Sequence, residues 1–500
     1  MTPSRCRSPL PLLPFYILLL ASVALSPLRA ATDAQIAERL SGLVARAPKG
    51  AAIAARVERA DSGAVVFERN AAAPMAPASN QKILTTAAAL FHLGPDYRFQ
   101  TELRHRGPIE GAAIRGDLVV VGSGDPTISG RFQNPRTDVT AIFRKWAHDL
   151  EAQGIHRIRG AIIGDDRAFD AAVAAPQWPE NRGAEWYCAE ISALIFNDGC
   201  VDVTWTGAGK PGAPATCRLN PSTGYLRILN GVQLTDDPKK AAHWFERKDK
   251  PNVVEAKGRT RAGREAVDSV SVQGATGYFV TVLKETLMAQ GIRVDGEATP
   301  IGALADPSPF TADLPRLLVH ESPALSDIVR ETNLHSQNLF AETMFKAAGR
   351  KREGQGSFES GARAVRQFLE SHHIPTQGLN IVDGSGLSRD NRVTAQALTG
   401  VLRAADAAPW REIYRSSFPV GARTGSLRDR FAQNGKDRQT AARIRAKTGY
   451  IRGVRALSGW AAQPEGGPEY RFSFLLNSGD ENAPGGIAWL DAMALAIAEK

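Results

Sequence analysis

Hydrophobic side chains recur every three or four residues in seven stretches of the 500-residue chain. This spacing places them on one face of a helix and therefore predicts seven helices. We expect the first helix to be capped by Thr32 or Asp33, because short polar side chains accept hydrogen bonds from the free N–H groups of a first turn. The predicted helices cover 32–44, 78–90, 277–290, 326–346, 361–372, 394–405 and 487–499.

Other hydrophobic runs are short and bounded by Gly, Pro, Asp or Asn, which is typical of strands joined by turns. Such runs lie at 51–59 and 64–69, at 118–121 and 161–164, and at 444–447, 454–460 and 471–477. From about residue 97 the pattern of hydrophobic and polar residues is irregular and rich in strand-like runs. After the Pro-rich stretch 300–315 the pattern is again typical of helices.

This distribution predicts one α/β domain built from both ends of the chain, with a large insertion between them. The expected catalytic domain comprises 31–96 and 306–500. The inserted β-rich region, 97–305, is expected to form two subdomains, about 97–165 with 264–305 and about 166–263.

The first thirty residues have the pattern of a secretory signal peptide. Arg5 and Arg7 precede an apolar run over 10–25, and small or apolar residues lead to a cleavage point near Ala30. This run is short for a membrane span, and proline residues interrupt it. We therefore expect a periplasmic protein without an integral span after cleavage. An uncleaved N-terminal anchor is the alternative.

Charge and composition exclude several classes of function. The formal net charge is +9, and about +6 after loss of the signal peptide. The basic residues are mostly scattered, and no nucleic-acid-binding module is recognisable, so we expect no nucleic-acid partner. The chain has no Cys-x-x-Cys and no His-Glu-x-x-His motif. We therefore predict neither a metal nor another cofactor.

Three cysteines remain after removal of the signal peptide: Cys188, Cys200 and Cys217. In an oxidising compartment we expect one disulfide bond and one remaining thiol. Pairing of Cys200 with Cys217 and pairing of Cys188 with Cys200 are both possible from the sequence.

Candidate chemistry begins with Ser79 and Lys82, three residues apart at the start of the predicted helix 78–90. This spacing places both side chains on one helix face, within reach of each other. A lysine kept neutral by burial or by nearby cations can accept the serine proton, and the free N–H groups of a helix start favour a developing negative charge. Alone, the pair also fits an N-cap serine followed by a surface lysine.

Two further short motifs follow in the C-terminal half. Ser336-Gln337-Asn338 lies in or near the predicted helix 326–346, and Lys447-Thr448-Gly449 precedes a strand-like run. Ser-x-x-Lys, Ser-x-Asn and Lys-Thr-Gly, in this order, form the signature of penicilloyl-serine transferases. Arg423-Thr424-Gly425 is a weaker candidate for the third motif, because no strand pattern follows it.

With these motifs the chain resembles the low-molecular-mass class C penicillin-binding proteins, a family of D-Ala-D-Ala carboxypeptidases and endopeptidases with large insertions. The similarity also includes 77–82, 93–97, 122–127, 191–198 and 383–389. The resemblance implies an α/β (α+β) penicilloyl-serine transferase domain, with an antiparallel sheet flanked by helices and with large β-rich inserted domains. It also implies peptidoglycan peptides as substrates and β-lactam antibiotics as covalent inhibitors.

The resemblance further implies a role for each motif residue. Ser79 would be the nucleophile and Lys82 its base, with the neutral form of Lys82 favoured by the charge of Lys447. Ser336 would relay a proton to the leaving amine, and Asn338 would hold the substrate amide or position Lys82.

The third motif would form the opposite wall of the cleft. Lys447 and Thr448 would bind the terminal carboxylate of the substrate, beside Gly449. The backbone N–H groups of Ser79 and Tyr450 would form the oxyanion hole. This family usually has Thr or Ser where Tyr450 stands. The hydroxyl that such a residue places near the carboxylate is therefore expected to be missing here, and Arg452 or Arg455 would have to take its place.

The leading hypothesis is therefore a periplasmic serine DD-peptidase. A serine β-lactamase or esterase on the same fold, and an inactive peptidoglycan-binding protein, are the alternatives.

Overall fold

A computed structural model describes residues 31–178, 184–311, 313–431, 435–464 and 466–500. The predicted signal peptide, 1–30, lies outside these residues. In the described part no helix is both long and apolar enough to cross a membrane.

The predicted strands and helices appear in the predicted order, except that the helix expected over 326–346 is divided in two. The structure adds strands in the insertion and three helices that the sequence did not predict, Ala141–Ala152, Arg411–Ser416 and Gly435–Ala441. The α-helices are α1 (Asp33–Val44), α2 (Gln81–Leu93), α3 (Ala141–Ala152), α4 (Ala275–Ala289), α5 (Leu325–His335), α6 (Asn338–Glu353), α7 (Phe358–Ser371), α8 (Ala395–Ala407), α9 (Arg411–Ser416), α10 (Gly435–Ala441) and α11 (Gly486–Ala498). The strands up to the middle of the insertion are β1 (Ala51–Arg59), β2 (Val65–Arg69), β3 (Gln100–Arg106), β4 (Ile109–Glu110), β5 (Ala113–Ile114), β6 (Asp117–Val121), β7 (Arg157–Ile158), β8 (Ile162–Asp165), β9 (Cys200–Thr206) and β10 (Thr216–Asn220). The later strands are β11 (Arg227–Thr235), β12 (His243–Arg247), β13 (Val253–Arg261), β14 (Ala266–Ser271), β15 (Arg293–Val294), β16 (Ala298–Pro300), β17 (Arg316–Glu321), β18 (Ile444–Ile451), β19 (Val454–Ala462) and β20 (Glu469–Ser478).

Both ends of the chain meet in one antiparallel sheet of five strands, in the order β18-β19-β20-β1-β2. Successive side chains of a strand point to opposite faces, so each face packs on different helices. Ala456 and Leu475 pack with α2 and α8, whereas Leu457 and Phe474 pack with α1 and α11. The sheet flanked by helices agrees with the predicted fold class.

In the described residues the insertion contributes to four further sheets, of five, four, three and three strands. The strand orders are β16-β8-β6-β3-β17, β15-β7-β5-β4, β10-β9-β14 and β11-β13-β12. Strand β17 pairs with β3, so this sheet includes residues up to Glu321, beyond the predicted boundary near 306. Strand β14 pairs with β9 and thus lies with the second predicted subdomain, not with the first. The division into domains itself stays a prediction.

The predicted single helix over 326–346 is wrong. Helix α5 ends at His335, and Ser336 adopts a left-handed conformation with φ 59° and ψ 39°. Gln337 is extended, and α6 begins at Asn338. The apolar period continues across the break because both helices bury their faces in the same core, which is why the spacing of hydrophobic residues did not reveal it.

The predicted disulfide bond is absent: no such bond joins the three cysteines of the described chain. Cys200 is the first residue of β9, and Cys217 pairs with Trp205, five residues further along that strand. At about 3.3 Å per residue the two cysteines are roughly 16 Å apart along the strand. Disulfide formation requires Cα atoms within about 7 Å, so these two cannot pair.

Candidate active site

Ser79 lies in a single 3₁₀ turn, Ala78–Asn80, that leads directly into α2. Ala78 has φ 47°, a conformation that L-residues rarely adopt and that costs about 1–3 kcal/mol. The loop carrying Gly386 presses on this turn, since a Cβ at Gly386 would lie 1.8 Å from the carbonyl oxygen of Ala78. The backbone before Ser79 is thus held in place by a glycine distant in the sequence.

Lys82 is fully buried in the first turn of α2, and its Nζ has three polar neighbours. Nζ lies 3.0 Å from Ser79 Oγ, 2.7 Å from Asn338 Oδ1 and 2.8 Å from the carbonyl oxygen of Ser385. Ser79 and Asn338, the first residue of α6, therefore both contact the amino group of Lys82. In its neutral form this group can accept the Ser79 proton without moving.

Burial is the main reason why the pKa of Lys82 falls from its ordinary value to about 7. The negative charges of Glu342 and Asp383 oppose this shift. The sequence predicts that the charge of Lys447 favours neutral Lys82, but desolvation is the principal cause. Burial also lowers the pKa of Lys447 well below its ordinary value, and the charge of Lys82 adds to that shift.

Ser336 and Lys447 form the opposite side of the cleft. The left-handed conformation of Ser336 ends α5, and its Oγ accepts a hydrogen bond of 2.8 Å from Lys447 Nζ. Lys447 is buried and also donates to the carbonyl oxygen of Thr448, at 2.9 Å. The break between α5 and α6 therefore allows Ser336 to reach Lys447 while Asn338 reaches Lys82.

The Lys-Thr-Gly motif lies within strand β18, whereas the sequence pattern places it before a strand. β18 is one of the two edge strands of the sheet and runs beside the Ser79 turn. Gly449 permits this approach: a Cβ there would lie 2.7 Å from the carbonyl oxygen of Pro77 and 3.3 Å from Asn80 Oδ1. A side chain at Gly449 would separate the two walls of the cleft.

The direction of the β18 backbone is suited to an oxyanion hole. The Ala446 N–H donates to the carbonyl oxygen of Pro419, on the side of β18 that faces away from β19. Alternate residues of a strand direct their N–H groups to the same side. The Tyr450 N–H, four residues later, therefore points to the unpaired edge, where the Ser79 turn lies.

The Tyr450 side chain points away from the cleft. Tyr450 pairs with Arg455 of β19, whose side chain packs beside Gly486 of α11. The guanidinium carbon of Arg455 lies 4.0 Å from the centre of the Tyr450 ring, which is 62% exposed. The ring thus lies on the α11 face of the sheet. Arg452 and Arg455 lie beyond the end of β18, and buried Arg455 donates to backbone carbonyls.

Several residues of the cleft had no role in the sequence-based prediction. Glu342 of α6 accepts hydrogen bonds from the backbone of the loop that carries Ser385. The sequence offered one indication of this role, a charged residue among the apolar residues of the first half of α6, four positions after Asn338. Ser426, next to the rejected motif 423–425, lies with its Oγ 2.9 Å from Thr448 Oγ1.

The structure brings the predicted motif residues together around one cleft, except for the Tyr450 side chain. A histidine triad has no support near Ser79: His92 Nε2 interacts with the carbonyl oxygen of Ala364 on α7, at 2.8 Å. Within the described ranges, no three His, Cys, Asp or Glu side chains are grouped as metal ligands would be.

Comparison with known proteins gives one family. The chain matches the D-Ala-D-Ala carboxypeptidase 3 (S13) family over residues 36–497. It is 32% identical to a D-alanyl-D-alanine carboxypeptidase of Actinomadura sp. (strain R39), over 98% of this chain and 89% of that protein.

The fold is similar to the crystal structure of penicillin-binding protein 4 (dacB) from Haemophilus influenzae. The TM-score is 0.76 at 22% identity, covering 91% of this chain and 97% of that one. A second structure of that protein, complexed with a β-lactam, gives a TM-score of 0.71 at 22% identity, covering 91% and 98% of the two chains.

These matches confirm the resemblance to low-molecular-mass class C penicillin-binding proteins and the prediction of a serine peptidase. The chain, with its three motifs joined in one cleft, belongs to the D-Ala-D-Ala carboxypeptidase 3 (S13) family.

Proposed function

We propose that this chain is a periplasmic serine DD-peptidase that hydrolyses D-Ala-D-Ala or similar D-configured bonds in peptidoglycan, with Ser79 as nucleophile. The observation that carries the proposal is the 3.0 Å contact between Ser79 Oγ and the buried Nζ of Lys82. Nucleophilic catalysis by serine requires a base within hydrogen-bonding distance, and burial supplies the neutral amine that can act as one.

In the proposed acylation step, Lys82 takes the proton of Ser79 as Oγ attacks the substrate carbonyl carbon. The oxyanion that forms accepts hydrogen bonds from the N–H groups of Ser79 and Tyr450. Preorganised donors of this kind contribute about 3–4 kcal/mol each to transition-state stabilisation. Asn338 keeps Lys82 in position through the 2.7 Å contact with Nζ.

Collapse of the tetrahedral intermediate breaks the C–N bond, and the leaving amine needs a proton. We assign this transfer to Ser336, which is hydrogen-bonded to Lys447 Nζ. Its hydroxyl gives a proton to the amine and regains one from the Lys82 ammonium, so that the proton taken from Ser79 leaves with the amine and both side chains return to their starting states. Thr448 and Lys447, beside Gly449, bind the terminal carboxylate of the substrate. Attack of water on the acyl ester then releases Ser79 and a new carboxylate, so that one water is consumed for each peptide bond broken.

Carboxypeptidase action on a terminal D-Ala and endopeptidase action on a cross-link use the same chemistry and differ in the group that leaves with the amine. A comparison of muropeptide monomers with cross-linked dimers, digested by the purified protein, distinguishes them. Release of D-Ala from monomers indicates the first activity, and conversion of dimers to monomers indicates the second.

Labelling with a fluorescent penicillin tests the central claim. We expect stable covalent labelling of the wild type and none of Ser79→Ala. Rapid turnover of the penicillin would favour the β-lactamase alternative. A wild type that is folded but does not label would support the inactive peptidoglycan-binding alternative and contradict the proposal.

A further inference from the structure

A buried carboxylate lies directly behind the lysine of the cleft. Glu342 follows Asn338 by one turn of α6, so both side chains project from the same helix face. Glu342 is fully buried, and its two oxygens accept from successive backbone N–H groups. Oε2 lies 2.7 Å from the nitrogen of Gly384, and Oε1 lies 2.7 Å from that of Ser385. Burial raises the pKa of Glu342, and the nearby charge of Asp383 raises it further. The two N–H groups oppose these shifts because they stabilise the charged form.

The two hydrogen bonds fix the peptide whose carbonyl meets Lys82. The Ser385 oxygen accepts from Lys82 Nζ at 2.8 Å. Gly384 can approach the carboxylate because it has no side chain: a Cβ there would lie 2.7 Å from the Cβ of Phe345 and 3.1 Å from Glu342 Oε2. Glu342 therefore influences Lys82 through the loop, and no direct ion pair between them is required.

A second buried carboxylate stabilises the other side of the same loop. Asp383 Oδ1 accepts from the Gly386 N–H at 2.7 Å, and Oδ2 accepts from the Ser388 N–H at 2.6 Å. The side chains of Asn391 and Trp178 donate to the same group at 2.8 and 2.9 Å. Asp383 therefore bonds within the loop and to Trp178, whereas Glu342 joins the loop to α6.

Three elements place titratable groups around Lys82. Glu342 projects from α6, Asp383 from the loop and Lys447 from β18, while Lys346, one turn further along α6, is paired with Asp170. Both carboxylates raise the pKa of Lys82, against the effect of burial. The charge of Glu342 thus keeps burial from lowering that pKa further.

We infer that Glu342 is a positioning residue for acylation of Ser79: it holds the Ser385 peptide so that its carbonyl keeps the Lys82 amine beside Ser79 Oγ. The inference rests on the proposed function and deepens it. It adds to the three motifs a fourth residue, which touches neither the substrate nor the reacting atoms.

Two substitutions separate the hydrogen bonds of Glu342 from its charge. Glu342→Gln removes the charge and directs an amide nitrogen toward one of two N–H donors, so one bond is lost. Glu342→Asp keeps the charge but shortens the side chain by one methylene. Glu353→Gln is the matched control, since Glu353 lies on the same helix, is paired with Arg363 and is distant from the loop.

The measurement is the second-order rate of labelling by fluorescent penicillin between pH 5 and 9, with thermal unfolding recorded for each variant. We expect Glu342→Gln to label about 100-fold more slowly, as a 1 Å misplacement of a reacting group does. We also expect the pH at half-maximal rate to fall, because the Lys82 ammonium loses the favourable charge of Glu342.

Glu342→Asp should label about tenfold more slowly, with its half-maximal pH unchanged, and Glu353→Gln should match the wild type. Wild-type rate and pH profile in Glu342→Gln would overturn the inference. If that variant does not fold, Glu342→Asp decides: a wild-type rate contradicts the inference, and a slower rate with an unmoved profile supports it. Failure of the wild type to label would contradict the proposed function instead, so the two failures are distinguishable.

Discussion

Gly449 and Pro77, 372 positions apart in the sequence, are in such close contact that a Cβ at Gly449 would lie 2.7 Å from the Pro77 carbonyl oxygen. This contact sets the width of the cleft, because β18 and the Ser79 turn form its two walls. We expect Gly449→Ala to separate them and to lower the rate of acylation by penicillin roughly 100-fold. Gly479→Ala is the control, since a Cβ there meets nothing within 4 Å. Equal rates for the two variants would contradict the role of the contact.

The pKa of Lys82, about 7, gives a prediction for the pH dependence of acylation. Protonated Lys82 cannot accept the Ser79 proton, so the rate should rise with pH through about 7 and then level off. Stopped-flow labelling between pH 5 and 9 measures this profile. A rate that is constant across pH 6–8 would mean that Lys82 does not titrate in this range and is not the base.

Two substitutions of Tyr450 separate its side chain from its backbone. Tyr450→Ala should change the labelling rate by less than about threefold, because the ring lies over Arg455 on the other face of the sheet. Tyr450→Pro removes the N–H and should lower the rate about 10²–10³-fold, the effect of losing one oxyanion donor. Proline is tolerated where an edge-strand N–H is unpaired. Similar rates for both variants would place the oxyanion elsewhere.

The hydroxyl pair formed by Ser426 and Thr448 predicts coupled effects on substrate binding. Their oxygens are 2.9 Å apart, so removal of either hydroxyl disturbs the other. We expect Ser426→Ala and Thr448→Ala each to raise KM for a D-Ala-D-Ala peptide about threefold to tenfold, with the double variant no worse than Thr448→Ala. Ser416→Ala on α9 should leave KM unchanged. Additive effects would show that the pair does not act as a unit.

The cysteines should all be reduced in the folded protein. After denaturation without reductant, the chain lacking residues 1–30 should titrate three thiols, because no disulfide bond joins the cysteines of the described residues. Cys200 and Cys217 are moreover too far apart to pair. In the folded protein, Cys217 should be alkylated before Cys200, since burial raises the pKa of Cys200 well above its ordinary value. Recovery of a single thiol would contradict the structure.

The sequence by itself determined many of the helices and strands at the two ends of the chain, and it determined the chemical class. The period of hydrophobic residues located α2, and the capping pattern located the start of α1, because both depend on neighbours within one or two turns. The order of Ser79, Ser336 and Lys447 indicated the family, because that order is a property of the chain and not of its folding.

Only the tertiary structure decided where the functional groups meet. Ser336 is left-handed because α5 and α6 pack separately on one core, and no local pattern encodes that break. The pKa of Lys82 depends on burial by residues distant in sequence. Glu342 belongs to no known sequence motif. Its importance comes from contact with a distant loop, in which Gly384 lies 42 positions later in the sequence. Long-range contacts set these properties, and a linear pattern does not contain them.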